Sequence, residues 1–203
     1  SGQFGVSGDD EVVSLTVGLP GNVYVGGNTD GAINLGGGAV TANGSRDGWA
    51  AQFSNDGSHV WSRSFGGSSD DTFEAVIVGR DEGPVIGFAT GTFQSRIEGM
   101  DSVGREDIWI GTFNETTAPT SLTVSGSAED DGVGGFGRGE GAINVFGQAG
   151  GNLPEFDAES VAGPFLADIF ESWFVQPFVT GEFLGSTSDA ARAIAGGWFS
   201  GHT

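Results

Sequence analysis

An aspartate followed eight residues later by a glycine occurs four times, as Asp10/Gly18, Asp71/Gly79, Asp131/Gly139 and Asp189/Gly197, with successive pairs about sixty residues apart. Each pair brackets a short run suited to an extended chain: EVVSLTV, TFEAVIV, GVGGFGR and AARAIAG. Self-similarity at a fixed period constrains a fold more than any local propensity, because each unit must bury its apolar face against its neighbour.

The parts between the pairs keep one order. A turn (LPGN, RDEG, RGEG) follows the first strand, and then comes a second strand: NVYVGG, PVIGFAT, AINVFGQ. Glycine in those turns supplies positive φ at little cost, so a tight hairpin is expected. A longer polar loop leads to a third strand (DGWAAQF, EDIWIGTF, GPFLADIF), and a second turn to a fourth (HVWSRSF, PTSLTVS, SWFVQPF). A Gly/Ser/Asp linker (FGGSSDD, SGSAEDD, FLGSTSD) then opens the next unit. Four alternating strands in about sixty residues, several times over, predict an all-β chain built as a β-propeller, with a β-solenoid as the alternative architecture. The expectation is a single propeller domain over residues 1–203. Its units start near 4, 65, 125 and 183, which makes about 3.5 blades with the last incomplete. Such a chain is either a four-bladed ring or part of a larger propeller. Its open blade edge would be paired by another copy or by a second surface protein.

The segment Trp61, Phe65, Gly66, Gly67, Asp71, the run GNVYV with Gly26 and Gly27, and the D-x-W strands together resemble the bacterial SBBP-type β-propeller repeat. Residues Gly21–Gly27 and Trp61–Asp71 match best. The third unit departs most, with Ser125 where Phe65 stands and VGGFG in place of the apolar strand. The resemblance implies a secreted or cell-surface bacterial protein serving as a scaffold, in assembly or adhesion. Propellers host many functions, so that implication is an analogy of fold.

Charge and composition narrow the function classes. The net charge is −20, and all seven basic residues are arginine. A surface of that sign repels nucleic acid and anionic membranes, so neither is expected as a partner. No run approaches the roughly 18–20 apolar residues of a membrane helix. There is no cysteine, hence no disulfide and no thiol chemistry. The two histidines, His59 and His202, have no partner constellation for a base–nucleophile pair, and no zinc triad can be assembled from them. The motif GGFGRG within Gly132–Gly141 lacks the Gly-Lys-Ser/Thr of a phosphate loop. These features together predict a protein that is not an enzyme.

Two groups of residues are candidate sites. The linker aspartates Asp10, Asp71, Asp131 and Asp189 could supply oxygen ligands to calcium, the one cofactor the sequence suggests. Their recurrence at one register better suits a carboxylate that accepts backbone N–H groups and fixes a crossover, because a site need not repeat but a turn must. Trp61 and Trp198 are the candidate stacking platforms for glycans. Trp49 and Trp109, each four residues before a phenylalanine on one strand face, read as packing between blades.

Overall fold

The computed structural model describes residues 4–79, 86–119, 122–138, 142–153, 162–170 and 181–183. These residues form an all-β structure of antiparallel sheets. Sheet one contains β1 (Asp10–Val17), β2 (Val23–Thr29), β5 (Asp47–Phe53) and β6 (His59–Phe65), in the order β1-β2-β5-β6. The small hairpin β3–β4 (Ala32–Asn34, Ala39–Thr41) is inserted between β2 and β5. Sheet two repeats the plan with β7 (Ala75–Val78), β8 (Ile86–Phe93), β11 (Asp107–Asn114) and β12 (Leu122–Ser125), and with hairpin β9–β10 (Arg96–Ile97, Met100–Asp101) in the same place. Sheet three contains β13 (Gly132–Arg138), β14 (Ala142–Ala149), β15 (Gly163–Phe170) and β16 (Gly181–Phe183). Among the described residues no helix is long and apolar enough to cross a membrane.

The strands form where alternation and turn chemistry place them. In sheet one they fall within a residue of the runs EVVSLTV, NVYVGG, DGWAAQF and HVWSRSF, except that β2 continues to Thr29. The third unit differs. The run SWFVQPF lies outside the described residues, and the strand that pairs with β15 is Gly181–Phe183, through Phe165↔Phe183 and Leu166↔Glu182.

Side chains alternate across each strand and sort into three cores. Between sheets one and two lie Tyr24, Trp61 and Phe65 from one side and Phe93, Trp109 and Phe113 from the other, with Phe73 from the linker. The rings of Phe65 and Trp109 stack at 4.8 Å, which gives this interface an offset-stacked aromatic centre. Between sheets two and three the core is mainly aliphatic: Ile108, Ile110, Val133, Ile143, Val145 and Ile169, with Phe88 and Phe165. The outer face of sheet one carries a third cluster of Ile33, Leu35, Val40, Trp49 and Ala51. Trp49 and Trp109 thus sit on the corresponding face of successive sheets. Trp109 has a sheet opposite it, whereas Trp49 clusters with residues of its own sheet and of the β3–β4 segment.

Candidate functional site: buried aspartates at the sheet junctions

Among the described residues, four aspartates are almost wholly excluded from solvent: Asp47, Asp71, Asp107 and Asp131. Ionised carboxylates are rarely buried without compensation, so these are the most unusual groups in the molecule. They come in two pairs at equivalent places. Asp47 opens β5 and Asp107 opens β11, while Asp71 and Asp131 end the linkers that lead into β7 and β13.

The linker aspartates fasten one sheet to the next. Asp71 Oδ2 accepts the N–H of Gly67 at 2.6 Å, and Oδ1 accepts that of Gln94 at 2.9 Å, just past β8 in sheet two. Its own N–H donates to the carbonyl of Arg46 at 2.7 Å, back in sheet one. Asp131 repeats this pattern. Its Oδ2 accepts Ser127 N–H at 2.5 Å, its Oδ1 accepts Gly150 N–H at 2.7 Å, and its N–H donates to Glu106 O at 2.8 Å. Each linker carboxylate therefore ties the linker turn to the next sheet, while the backbone N–H of the same residue reaches back to the residue before β5 or β11. The donors are backbone groups, joined at Asp131 by the Ser127 hydroxyl at 3.2 Å, so the joint depends mainly on the chain path.

The strand-opening aspartates close the loop before their own strand. Asp47 Oδ2 accepts Asn43 N–H at 2.6 Å and Gly44 N–H at 3.4 Å, and Asp107 accepts Val103 N–H at 2.5 Å and Gly104 N–H at 3.2 Å. A Cβ at Gly66 would run into the Asp47 carboxyl, and one at Gly126 into that of Asp107, so glycine is required where the linker crosses them. Asp47 Oδ1 is buried with no hydrogen-bond partner.

Burial sets the electrostatics. Desolvation pushes the Asp71 carboxyl up to about 6 against the pull of the Gly67 and Gln94 N–H groups, and the charges of Asp47 and Asp70 add to the rise. Desolvation also raises Asp47 and Asp107, each opposed by the N–H groups of its loop. Outside the joint, Arg105 forms a two-pronged pair with exposed Asp130, while Ser45 donates to Asp70 at the equivalent place.

The candidate residues from the sequence fall out as follows. Asp71 and Asp131 are the joints just described. Asp10 is exposed at the first residue of β1, and Asp189 lies outside the described residues. With both oxygens of Asp71 and of Asp131 already accepting N–H groups, the geometry suits a carboxylate held by amides. A calcium cage, by contrast, needs oxygen ligands turned toward one point. Among the described residues no group of three or more His, Cys, Asp and Glu is gathered as metal ligands would be. Trp61 is buried against Tyr24 and Phe113, with ring centroids 6.5 and 5.6 Å away, which puts its face into the inter-sheet core. Trp198 and His202 lie outside the described residues, and His59 bonds Ser62 Oγ through Nε2 at 3.0 Å. The strand-opening aspartates were not singled out from sequence, although Asp47-Gly-Trp and Asp107-Ile-Trp repeat at the same period and carried that signal. Comparison with protein-family models and with curated proteins finds no match.

Proposed function

We propose that the chain is a β-propeller segment, its sheets serving as successive blades, and that it works as a non-enzymatic scaffold in assembly or adhesion outside the cell. The observation that carries this reading is the fate of its reactive groups. The linker carboxylates spend their oxygens on backbone N–H groups, and the Trp109 indole donates to Thr72 O at 3.0 Å inside the inter-sheet core. Chemistry needs carboxylates poised toward a substrate, and binding of sugar rings needs exposed aromatic faces. Here Asp71, Asp131 and Trp109 act instead as joints between sheets. Repetition of one joint at two junctions further favours an architectural role, since a site need occur only once. The acidity of the chain and the resemblance to a surface propeller repeat support placement outside the cell. The test is turnover on a panel of bacterial and plant polysaccharides, with glycan-array binding measured with and without EDTA. The reading predicts no turnover and no chelator-sensitive binding. Turnover that disappears in Asp47→Asn would overturn it.

A further inference from the structure

Asn43-Gly44 is the one Asn-Gly pair in the sequence, and it lies in the loop that Asp47 closes. Asparagine before glycine is chemically unstable. The backbone nitrogen of the following residue can attack the side-chain carbonyl, and only glycine leaves that approach free of a Cβ. The loop leaves the attack open. Asn43 is exposed, and its carboxamide has no hydrogen-bond partner among the described residues. The side-chain oxygens of Asn28, Asn34 and Asn114, by contrast, accept the backbone N–H groups of Phe73, Gly36 and Thr116. Gly44 N–H reaches Asp47 Oδ2 only at 3.4 Å, against 2.6 Å for Asn43 N–H, so the attacking nitrogen is the loosely held one.

The joint itself imposes the glycine. A Cβ at Gly44 would meet the carbonyl oxygen of the linker residue Ser69 at 2.0 Å, and one at Gly104 would meet that of Glu129 at 2.2 Å. The two loops are equivalent, since Val103 and Gly104 give their N–H groups to Asp107 as Asn43 and Gly44 do to Asp47. The residue before the glycine differs: valine in sheet two, asparagine in sheet one. We propose that Asn43 is a self-modifying site, which closes to a cyclic imide with the Gly44 nitrogen and reopens to isoaspartate and aspartate, and that the conversion loosens the loop closed by Asp47. The bond from Gly44 N to Asn43 Cγ forms as the Cγ–Nδ2 bond breaks, and the Gly44 amide proton leaves with the departing nitrogen as ammonia. Water then opens the ring at either carbonyl. Opening at the backbone carbonyl routes the chain through Cγ, which lengthens it by one methylene. The N–H groups of residues 43 and 44 are then too far apart to share one oxygen of Asp47. Either product also sets a new carboxylate beside the buried Asp47. This chemistry goes beyond the scaffold reading and does not rest on it.

Ageing the full, folded chain in mildly alkaline buffer tests it. Position 43 is read by peptide mapping with electron-transfer fragmentation, which separates isoaspartate from aspartate. Asn43 should convert at least about tenfold faster than Asn55 or Asn114, whose following residues, Asp56 and Glu115, carry a Cβ. The aged chain should melt below the fresh one. Asn43→Val, which copies Val103, should keep its melting temperature through the same incubation. The mapping uses the wild-type chain alone and so decides the chemistry whatever the stability of the variant. The proposal is overturned if Asn43 converts no faster than Asn55 and Asn114, if the converted chain melts like the fresh one, or if Asn43→Val loses stability on ageing as wild type does.

Discussion

Replacing Asp71 by alanine should destabilise the protein, and the size of the loss should depend on pH in a way that only a buried, amide-bonded carboxylate produces. Two backbone donors, Gly67 and Gln94, lose their acceptor in a place without solvent. Each orphaned N–H costs about 1–3 kcal/mol. Against that stands the cost of keeping an ionised carboxylate buried. A group whose pKa rises from 3.8 to about 6 on folding binds its proton more tightly in the folded state. Its contribution is therefore fully present below the unfolded value and declines as pH rises through the folded one. At about 1.4 kcal/mol per pH unit of difference, wild type loses about 3 kcal/mol from this residue between pH 4 and pH 7. The alanine variant has no such loss. The destabilisation by Asp71→Ala should thus be largest near pH 4 and about 3 kcal/mol smaller at pH 7.5, less whatever Asp47 regains once its charged neighbour is gone. Urea unfolding at the two pH values, followed by fluorescence of the buried tryptophans, measures both numbers. A variant as stable as wild type at pH 4, or an equal loss at both pH values, would refute the reasoning.

Other perturbations follow from the same geometry. Asp47→Asn should be neutral or stabilising by about 1–2 kcal/mol at pH 7, because one oxygen takes both loop N–H groups, the other has no partner, and the substitution removes a buried charge. Asp107→Asn should instead cost about 1–3 kcal/mol, since each oxygen accepts its own N–H and one would be replaced by a donor; a pair of thermal melts distinguishes the two. Gln52 is fully buried with neither amide atom bonded, so Gln52→Met, which keeps the volume, should stabilise by about 1–2 kcal/mol in urea titration. Gly126→Ala should destabilise by at least about 2 kcal/mol, because its Cβ would meet the Asp107 carboxyl, and a wild-type melting temperature would contradict the close crossing.

Much of the strand plan is legible in the sequence because sheet strands write a period of two into their residues. Val23 to Phe53 shows this: Tyr24 and Val25 go to opposite faces, as do Trp49 and Ala50. The hairpins β3–β4 and β9–β10 were hidden inside what reads as a long polar loop, since strands of three and two residues are too short to show a period. The exposure of β1 was also illegible. EVVSLTV reads like any covered strand, and only the position of sheet one shows that Leu15 and Val17 have no sheet opposite them among the described residues. For the site, the recurring register of Asp71 and Asp131 suggested a turn, and both carboxylates accept backbone N–H groups there, but the second member of each junction was missed. Asp47 and Asp107 look like polar residues that merely start a strand, and their burial comes from the linker that crosses over them in three dimensions.

The central claim is that the linker aspartates clamp successive sheets by backbone hydrogen bonds, and native-state hydrogen exchange reads those bonds directly. The amides of Gly67 and Gln94, held by Asp71, and of Ser127 and Gly150, held by Asp131, all lie outside strands. Loop amides ordinarily exchange through small local openings that cost almost nothing. The account predicts that these four exchange only with the opening of the sheets they join, and that the two junctions are protected alike. Exchange of all four at the rate of an exposed loop amide such as Gly38 would contradict it.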